Sequence, residues 1–562
     1  MAKIVWSLPA KSGGANFLTP SAWTPAQVPG AHDQAIINMA GNYTVTVSVG
    51  FGNPTVFALQ IDTPQTSNVL LNIVSTFNHT TMTVLGNASI SSAVSLHNGT
   101  LAVGGNFTYG GSTPFNKAIT AGDSTGNAVI SVGGNFHNSG SVNIGAHSSL
   151  LEVTGTLINA GSIQTVMPTA QVKLHGKVIN TGGLSAGTSN NSIHLYDSVV
   201  NHGSLAVADT GATMDVDGHA TNYQMVHVFG GGTMSLHDGL ANHGTVVVRG
   251  SSTGFSTLTI EGTLNNAATV TANGRSVIHL GDVINSGSIT GLGDTGTPAG
   301  PTTLTASGDV INLDTGSIQL TGGSSFTIAG LLRNFGTVTA QGAAGTIGSL
   351  LDVDGATRNE GTLQATGQGD IHLEDEARNL NGGLILADGT GSTVTIDGDV
   401  INGGGSTIKA ANAATVELKS AVMNAGDLIA DDGTLKIDGV LTGQGDTMIV
   451  DTGVVDFGAA AHAHVGFSGA TAGELILHDT SDFRGDVTGF ADTDMIDFKD
   501  FLFGQTSVDY VPNAGNTGGR LVLTDQTDPS HHAAIQFVGA YNDSNFASAD
   551  DGSGHLLVQH QV

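Results

Sequence analysis

The sequence contains no cysteine, which rules out a disulfide framework and any thiolate metal site. Aromatic residues make up only 5% of the 562 positions, with two tryptophans among them. A globule closed around a single core fills it with large side chains, so this scarcity points to a thin core of Val, Ile and Leu. Positive charge is also scarce: 16 Lys and Arg stand against 46 Asp and Glu, a net charge of −30. Nucleic acid and anionic membranes are held by clustered Lys and Arg, so neither is an expected partner. No apolar run reaches the roughly 18 residues of a transmembrane helix, and the opening MAKIVWSLPAKSGGANFL lacks the apolar stretch of a cleaved secretion signal.

Glycine is abundant, at 82 residues, yet 39% of the chain is hydrophobic and evenly spread, so the chain is expected to fold. The order lies in a repeat. Segments of the form apolar-x-Asn-x-Gly-x-apolar recur as FHNSGSV, LINAGSI, VINTGGL, VVNHGSL, LANHGTV, VINSGSI, LRNFGTV, TRNEGTL and VMNAGDL. Their asparagines begin at Asn138, Asn159, Asn180, Asn201, Asn222 and Asn242 and continue through Asn266, Asn285, Asn312, Asn334, Asn359, Asn379, Asn402 and Asn424. The spacing is 21 residues over the first five and 19 to 27 later.

Within a unit, apolar residues alternate with polar ones, the period of a strand with one buried face. Four residues after the Asn come Val142, Ile163, Leu184, Leu205, Val226, Val246 and Val270, and a second slot holds Val153, Leu174, Leu195, Val216, Leu236, Ile260 and Leu280. One hairpin-sized unit cannot bury that face alone. If each unit is one turn of a coil, like residues stack about 4.8 Å apart and every slot becomes a continuous apolar column. The expected fold is all-β: a single-stranded parallel β-solenoid over residues 76–455, an N-terminal cap or assembly segment over 1–75, and a C-terminal β domain over 456–562. The asparagines are expected to form a structural ladder at a corner, where Asn tolerates left-handed backbone and its amide bonds the Asn above and below.

These repeats resemble the Gly/Asn-rich parallel β-helix repeats of large secreted bacterial surface, adhesin and matrix proteins. The segment with Trp6, Trp23 and GNYTVTVSV is similar to the opening segment that precedes such repeats; the two tryptophans are expected to cover the end of an apolar column or to dock another subunit. Near the C-terminus, Phe483, Gly485, Val487, Gly489 and Phe490, followed by Asp494, Ile496, Asp497 and Phe498, resemble a segment of type I secreted, RTX-like proteins. The tail GSGHLLVQHQV looks like an uncleaved type I export signal, which implies an extracellular or cell-surface location. The tandem nonapeptide of that family is absent, so its calcium sites do not carry over.

Structural calcium is the expected cofactor. Acids recur after the second strand, at Asp217, Glu261, Asp282, Asp354, Asp375, Asp397 and Asp438, where stacking brings like charges close enough to favour a cation with six to eight oxygen ligands. The C-terminal Asp482, Asp492, Asp494, Asp497 and Asp500 form a second candidate set. The 21 histidines are scattered and read as surface residues. Catalysis is not expected: enzymes acting on uronates need a base with Lys or Arg to hold the substrate. The cations here, Lys173, Lys177, Arg249, Arg275, Arg333, Arg358, Arg378, Lys409, Lys419 and Lys436, are dispersed along the sequence. The sequence therefore reads as a secreted structural protein that assembles with itself, head to tail or into a lattice, as an extracellular filament, surface layer or biofilm matrix, with calcium assisting. The alternatives are an adhesin or carbohydrate-binding protein whose partners are surface glycans, and a polysaccharide lyase or hydrolase.

Overall fold

Apolar-polar alternation over three to five residues, broken by Gly, Asn, Asp and Ser, yields short strands that turn before they can pair with themselves. A computed structural model describes residues 1–8, 13–48, 50, 52–64, 66–76, 78–110, 117–145, 147–293, 300–342, 348–491 and 493–561. The described chain is nearly all β and forms a parallel β-solenoid. It divides into two compact units, Met1–Gly281 and Asp282–Val562.

In the first unit each turn of the coil has three strands, one for each of three parallel sheets. One turn runs Leu157–Asn159, Ser162–Thr165 and Gln171–Leu174, and the next Val178–Asn180, Gly183–Ala186 and Ser192–Leu195. Each strand pairs in register with its counterpart one turn on. Val153, Leu174, Leu195 and Val216 lie in one file, and Val142, Ile163, Leu184, Leu205 and Val226 in another, as the repeat spacing requires. These residues are buried. Parallel pairing already joins Lys3–Val5 to Gln34–Ile36 and Asn42–Ser48 to Asn68–Val74.

The Asn-x-Gly signature follows from how closely the turns stack. A Cβ on Gly161 would lie 2.0 Å from the Gly140 carbonyl oxygen, and one on Gly182 would lie 1.9 Å from that of Gly161. At these two positions a residue without a Cβ lets the turns approach to strand-pairing distance.

The second unit repeats the plan. Its parallel register continues until Glu474–Leu477 pairs with Met495–Phe498 in one sheet and Asp486–Thr488 with Gln536–Val538 in another. Beyond that the pairing turns antiparallel: Thr506–Pro512, Gly518–Asp525 and His532–Val538 form a meander, and Met495–Leu502, His555–His560 and Phe546–Asp550 a second antiparallel set. Phe490, Phe537, Phe546, Tyr510 and Tyr541 pack together there, with ring centroids 4.9 to 6.4 Å apart. In the first unit Trp6 and Trp23 are each 1% exposed and meet edge to face at 5.0 Å, with Phe17 and Tyr43 beside them. Those two tryptophans fill the interior and present no surface for docking.

Candidate functional site

The asparagines end the three-residue strands and point inward. Asn138, Asn159, Asn180, Asn201, Asn222 and Asn242 are at most 2% exposed. Each donates its side-chain amide to the amide oxygen of the next, at 2.7 to 2.9 Å from Asn138 through to Asn266. The second unit has a file of its own from Asn285 to Asn424, at 2.8 to 2.9 Å. Several also donate to a main-chain carbonyl of the next turn, as Asn180 does to Ser204 at 3.0 Å and Asn201 to Met225 at 2.9 Å. The amide ladder expected from the sequence is there, but the left-handed backbone is not: none of these asparagines has a positive φ, whereas Asn190, Asn381 and Asn412, in other turns, do. The ladder asparagines end extended three-residue strands and keep that conformation.

The acids expected to hold calcium are placed less simply. Register aligns Asp354, Glu374 and Asp397 in one slot, continued by Lys419 and Asp438; Asp375 sits one residue beyond it. Within this column Lys419 ion-pairs with Asp397 at 2.8 Å. That bond lowers the Asp397 pKa. Lys436 bridges Glu417 at 2.7 Å and Asp438 at 3.1 Å, contacts that raise its pKa to about 12.

The C-terminal aspartates have separate partners. Asp482 pairs with Arg484 at 3.0 Å, and Asp494 accepts from the backbone of Gly473 and Ala491. Asp497 pairs with Lys499, which also holds Asp551, and Asp500 accepts from Thr480. These four do not converge into the six-to-eight-oxygen cage that calcium takes. Asp492 lies outside the described residues. Two groups not anticipated from sequence bring three potential ligand atoms within 4.8 Å of one another: Asp352, His372 and Glu374, and Asp431, Asp432 and Asp451.

Several histidines face a carboxylate one turn away on the outer face of the third sheet. His175 lies 3.0 Å from Glu152, His194 lies 2.9 Å from Asp217, and His237 lies 3.0 Å from Glu261. In the second unit His372 sits 3.1 Å from Asp352 and 3.2 Å from Asp397. Partial burial alone would lower the His372 pKa, but the hydrogen bonds to Asp397 and Asp352 carry it above its ordinary 6.5.

The cations dispersed along the sequence are not all dispersed in space. Arg333, Arg358 and Arg378 occupy one slot on three successive turns and point outward from the first sheet. Their file continues into Ile311 on one side and Ile401 on the other. Arg358 pairs with Glu360, and Arg378 pairs with Glu376 at 2.9 Å. Arg333 makes no ion pair with any described residue. The three line a shallow groove of about 260 Å³ together with Leu331, Ala356, Thr357 and Glu376. Each arginine directly precedes a ladder asparagine, in LRN, TRN and ARN, and that shared slot was the signal available in the sequence.

Residues 290–474 match the family model described as the BigA fourth domain. A search of the curated proteins gives no match. The matched segment spans the arginine file and most of the repeats of the second unit. Together with the solenoid it fits a repetitive, surface-type protein.

Proposed function

We propose that this protein is an extracellular surface scaffold of adhesin type, a stack of strands that holds binding faces away from the cell. The observation that carries this reading is where the chemistry lies. The interior is mainly apolar and carries an amide file with scattered Ser and Thr, while most ionisable groups lie on the outer faces of the sheets, some of them in rows. Such rows suit repeated contacts with a partner better than a single reaction centre. The match to the BigA fourth domain supports the same reading.

Self-assembly is the finer part of the proposal. Open strand edges are the usual route to end-to-end growth. Here the terminal segment of each unit is antiparallel and packed with aromatic rings, so assembly would proceed through the flanks. Flanks with a net charge of −30 repel one another, and calcium enters as the counter-ion that lowers this repulsion. Export is proposed to use the C-terminal tail as a type I signal, read before folding buries Leu556 and Val558.

Protease treatment of intact producing cells tests the location: the protein should be degraded from outside, and full protection would overturn the surface reading. Electron microscopy with and without calcium tests assembly: calcium-dependent lateral association is expected, and isolated particles in both conditions would remove that part.

A further inference from the structure

We propose that Arg333, Arg358 and Arg378 form an oxyanion-binding site whose ligand is an acidic saccharide, a sugar bearing a carboxylate or sulfate within an otherwise neutral chain. Three guanidinium groups stand on adjacent turns in a protein with only 16 Lys and Arg. Stacked cations repel, and among the described residues two of them are neutralised: Glu360 takes Arg358 and Glu376 takes Arg378. One positive charge is left uncompensated. Among the described residues none pairs with the five N–H donors of Arg333, which is exposed; the paired arginines are half exposed, at 49% and 51% for their side chains. A guanidinium fork matches the planar geometry of a carboxylate and the tetrahedral faces of a sulfate.

The surroundings narrow the class. One net charge suits one oxyanion, whereas an extended polyanion would meet Glu360 and Glu376 and then the acidic remainder of the molecule. Nucleic acid and anionic bilayers are disfavoured on that ground. Above and below the arginines the same file presents Ile311 and Ile401, with Met423 55% exposed beyond. A ligand lying along the file therefore meets charge at its centre and apolar side chains at its flanks. The C–H faces of sugars fit such flanks and their hydroxyls remain in water. That the ligand is encountered outside the cell rests on the surface reading above; the binding chemistry does not.

Calorimetric titration of the full chain at low ionic strength tests the site, with a galactose oligomer carrying one galacturonate residue, the same oligomer carrying one sulfate group and the unmodified neutral oligomer as probes. An acidic oligomer should bind, the neutral one should not, and salt should weaken the binding. Arg333→Gln should weaken it about tenfold, because a charge-assisted fork is lost, and the triple Arg→Gln variant should abolish it. Arg249→Gln, in the other unit, should bind as the parent does. Because Arg333 has no partner to lose, its variant should fold, and an unchanged circular dichroism melt checks this. The proposal is overturned if neither acidic oligomer binds or if Arg333→Gln binds undiminished. Inorganic sulfate binding as tightly as the sulfated sugar, or tighter binding to anionic lipid vesicles, would also defeat the saccharide assignment. Such a failure would leave the protease test of surface location untouched.

Discussion

Arg333, Arg358 and Arg378 point outward, and Asn334, Asn359 and Asn379, one residue later, point inward. Both sets obey the same stacking rule, and the outcome is opposite. Stacked amides satisfy one another, since each has a donor for the turn ahead and an acceptor for the turn behind, so the file gains with every copy. Stacked guanidiniums have only donors, so every copy adds repulsion unless an anion intervenes. A solenoid amplifies whatever a residue does to its own kind. Stability therefore resides in the uncharged interior file, and binding capacity in the outer charged one.

The comparison is broken most severely by charging the interior. Asn201→Asp places a carboxylate where Asn180 donates at 2.8 Å and leaves Asn222 without its donor. A destabilisation of about 3–5 kcal/mol is expected from a buried charge without a compensating partner, and about 1–3 kcal/mol from Asn201→Ala, which leaves buried polar groups unsatisfied. Hydrogen exchange of the first unit should show both losses centred on the turns around residue 201. Equal effects of the two variants would argue against a file made of amide contacts.

Neighbouring glycines provide the next contrast. Gly182→Ala puts a Cβ 1.9 Å from a carbonyl oxygen, whereas at Gly183 the nearest atom, Ser162 Oγ, is 4.0 Å away. The first change should cost about 1–3 kcal/mol in urea unfolding and the second less than about 1 kcal/mol. Indistinguishable variants would mean that the turns are not so closely stacked.

On the outer faces the effects are smaller and depend on pH. His372 is held above 6.5, so its contribution is fully present below that value and is lost as pH rises through the folded-state pKa. His237 follows the same sign through its hydrogen bond with Glu261. Titration by NMR should place both midpoints above that of a free imidazole, and Glu261→Gln should return His237 to the ordinary value. A His237 midpoint unmoved by that change would detach it from its carboxylate. Smallest of all, Arg333→Gln should leave stability unchanged or raise it by a few tenths of a kcal/mol, since it removes a like charge and no bond.

The stacking itself was legible because Val153, Leu174 and Leu195 recur at constant spacing and hydrophobicity alone fixes which way they face. The asparagine ladder was legible as a contact but not as a conformation. Asn at a turn signals left-handed backbone only when it makes the turn itself, and here each ladder asparagine is the last residue of an extended strand. Asp375 was assigned to the wrong slot because unit lengths in the second half vary, and a one-residue shift moves a side chain out of its column. The C-terminal aspartates were grouped by proximity in sequence, whereas Asp494 and Asp500 are tied to the preceding turn, through Gly473 and Thr480. The arginine file was missed for the converse reason: residues 333, 358 and 378 look scattered until they are sorted by position within the repeat.

The most direct test uses the absence of native cysteine. If the three arginines occupy one file, adjacent members lie about 4.8 Å apart and the outer two about 9.6 Å, against a disulfide range of about 4.4–6.8 Å between Cα atoms. The double variant Arg333→Cys/Arg358→Cys should therefore oxidise to an intramolecular disulfide, seen by mass spectrometry, while Arg333→Cys/Arg378→Cys should remain reduced in monomeric protein. Cross-linking of the outer pair, or none of the adjacent pair, would contradict the stack on which both the interior amide file and the outer binding face depend.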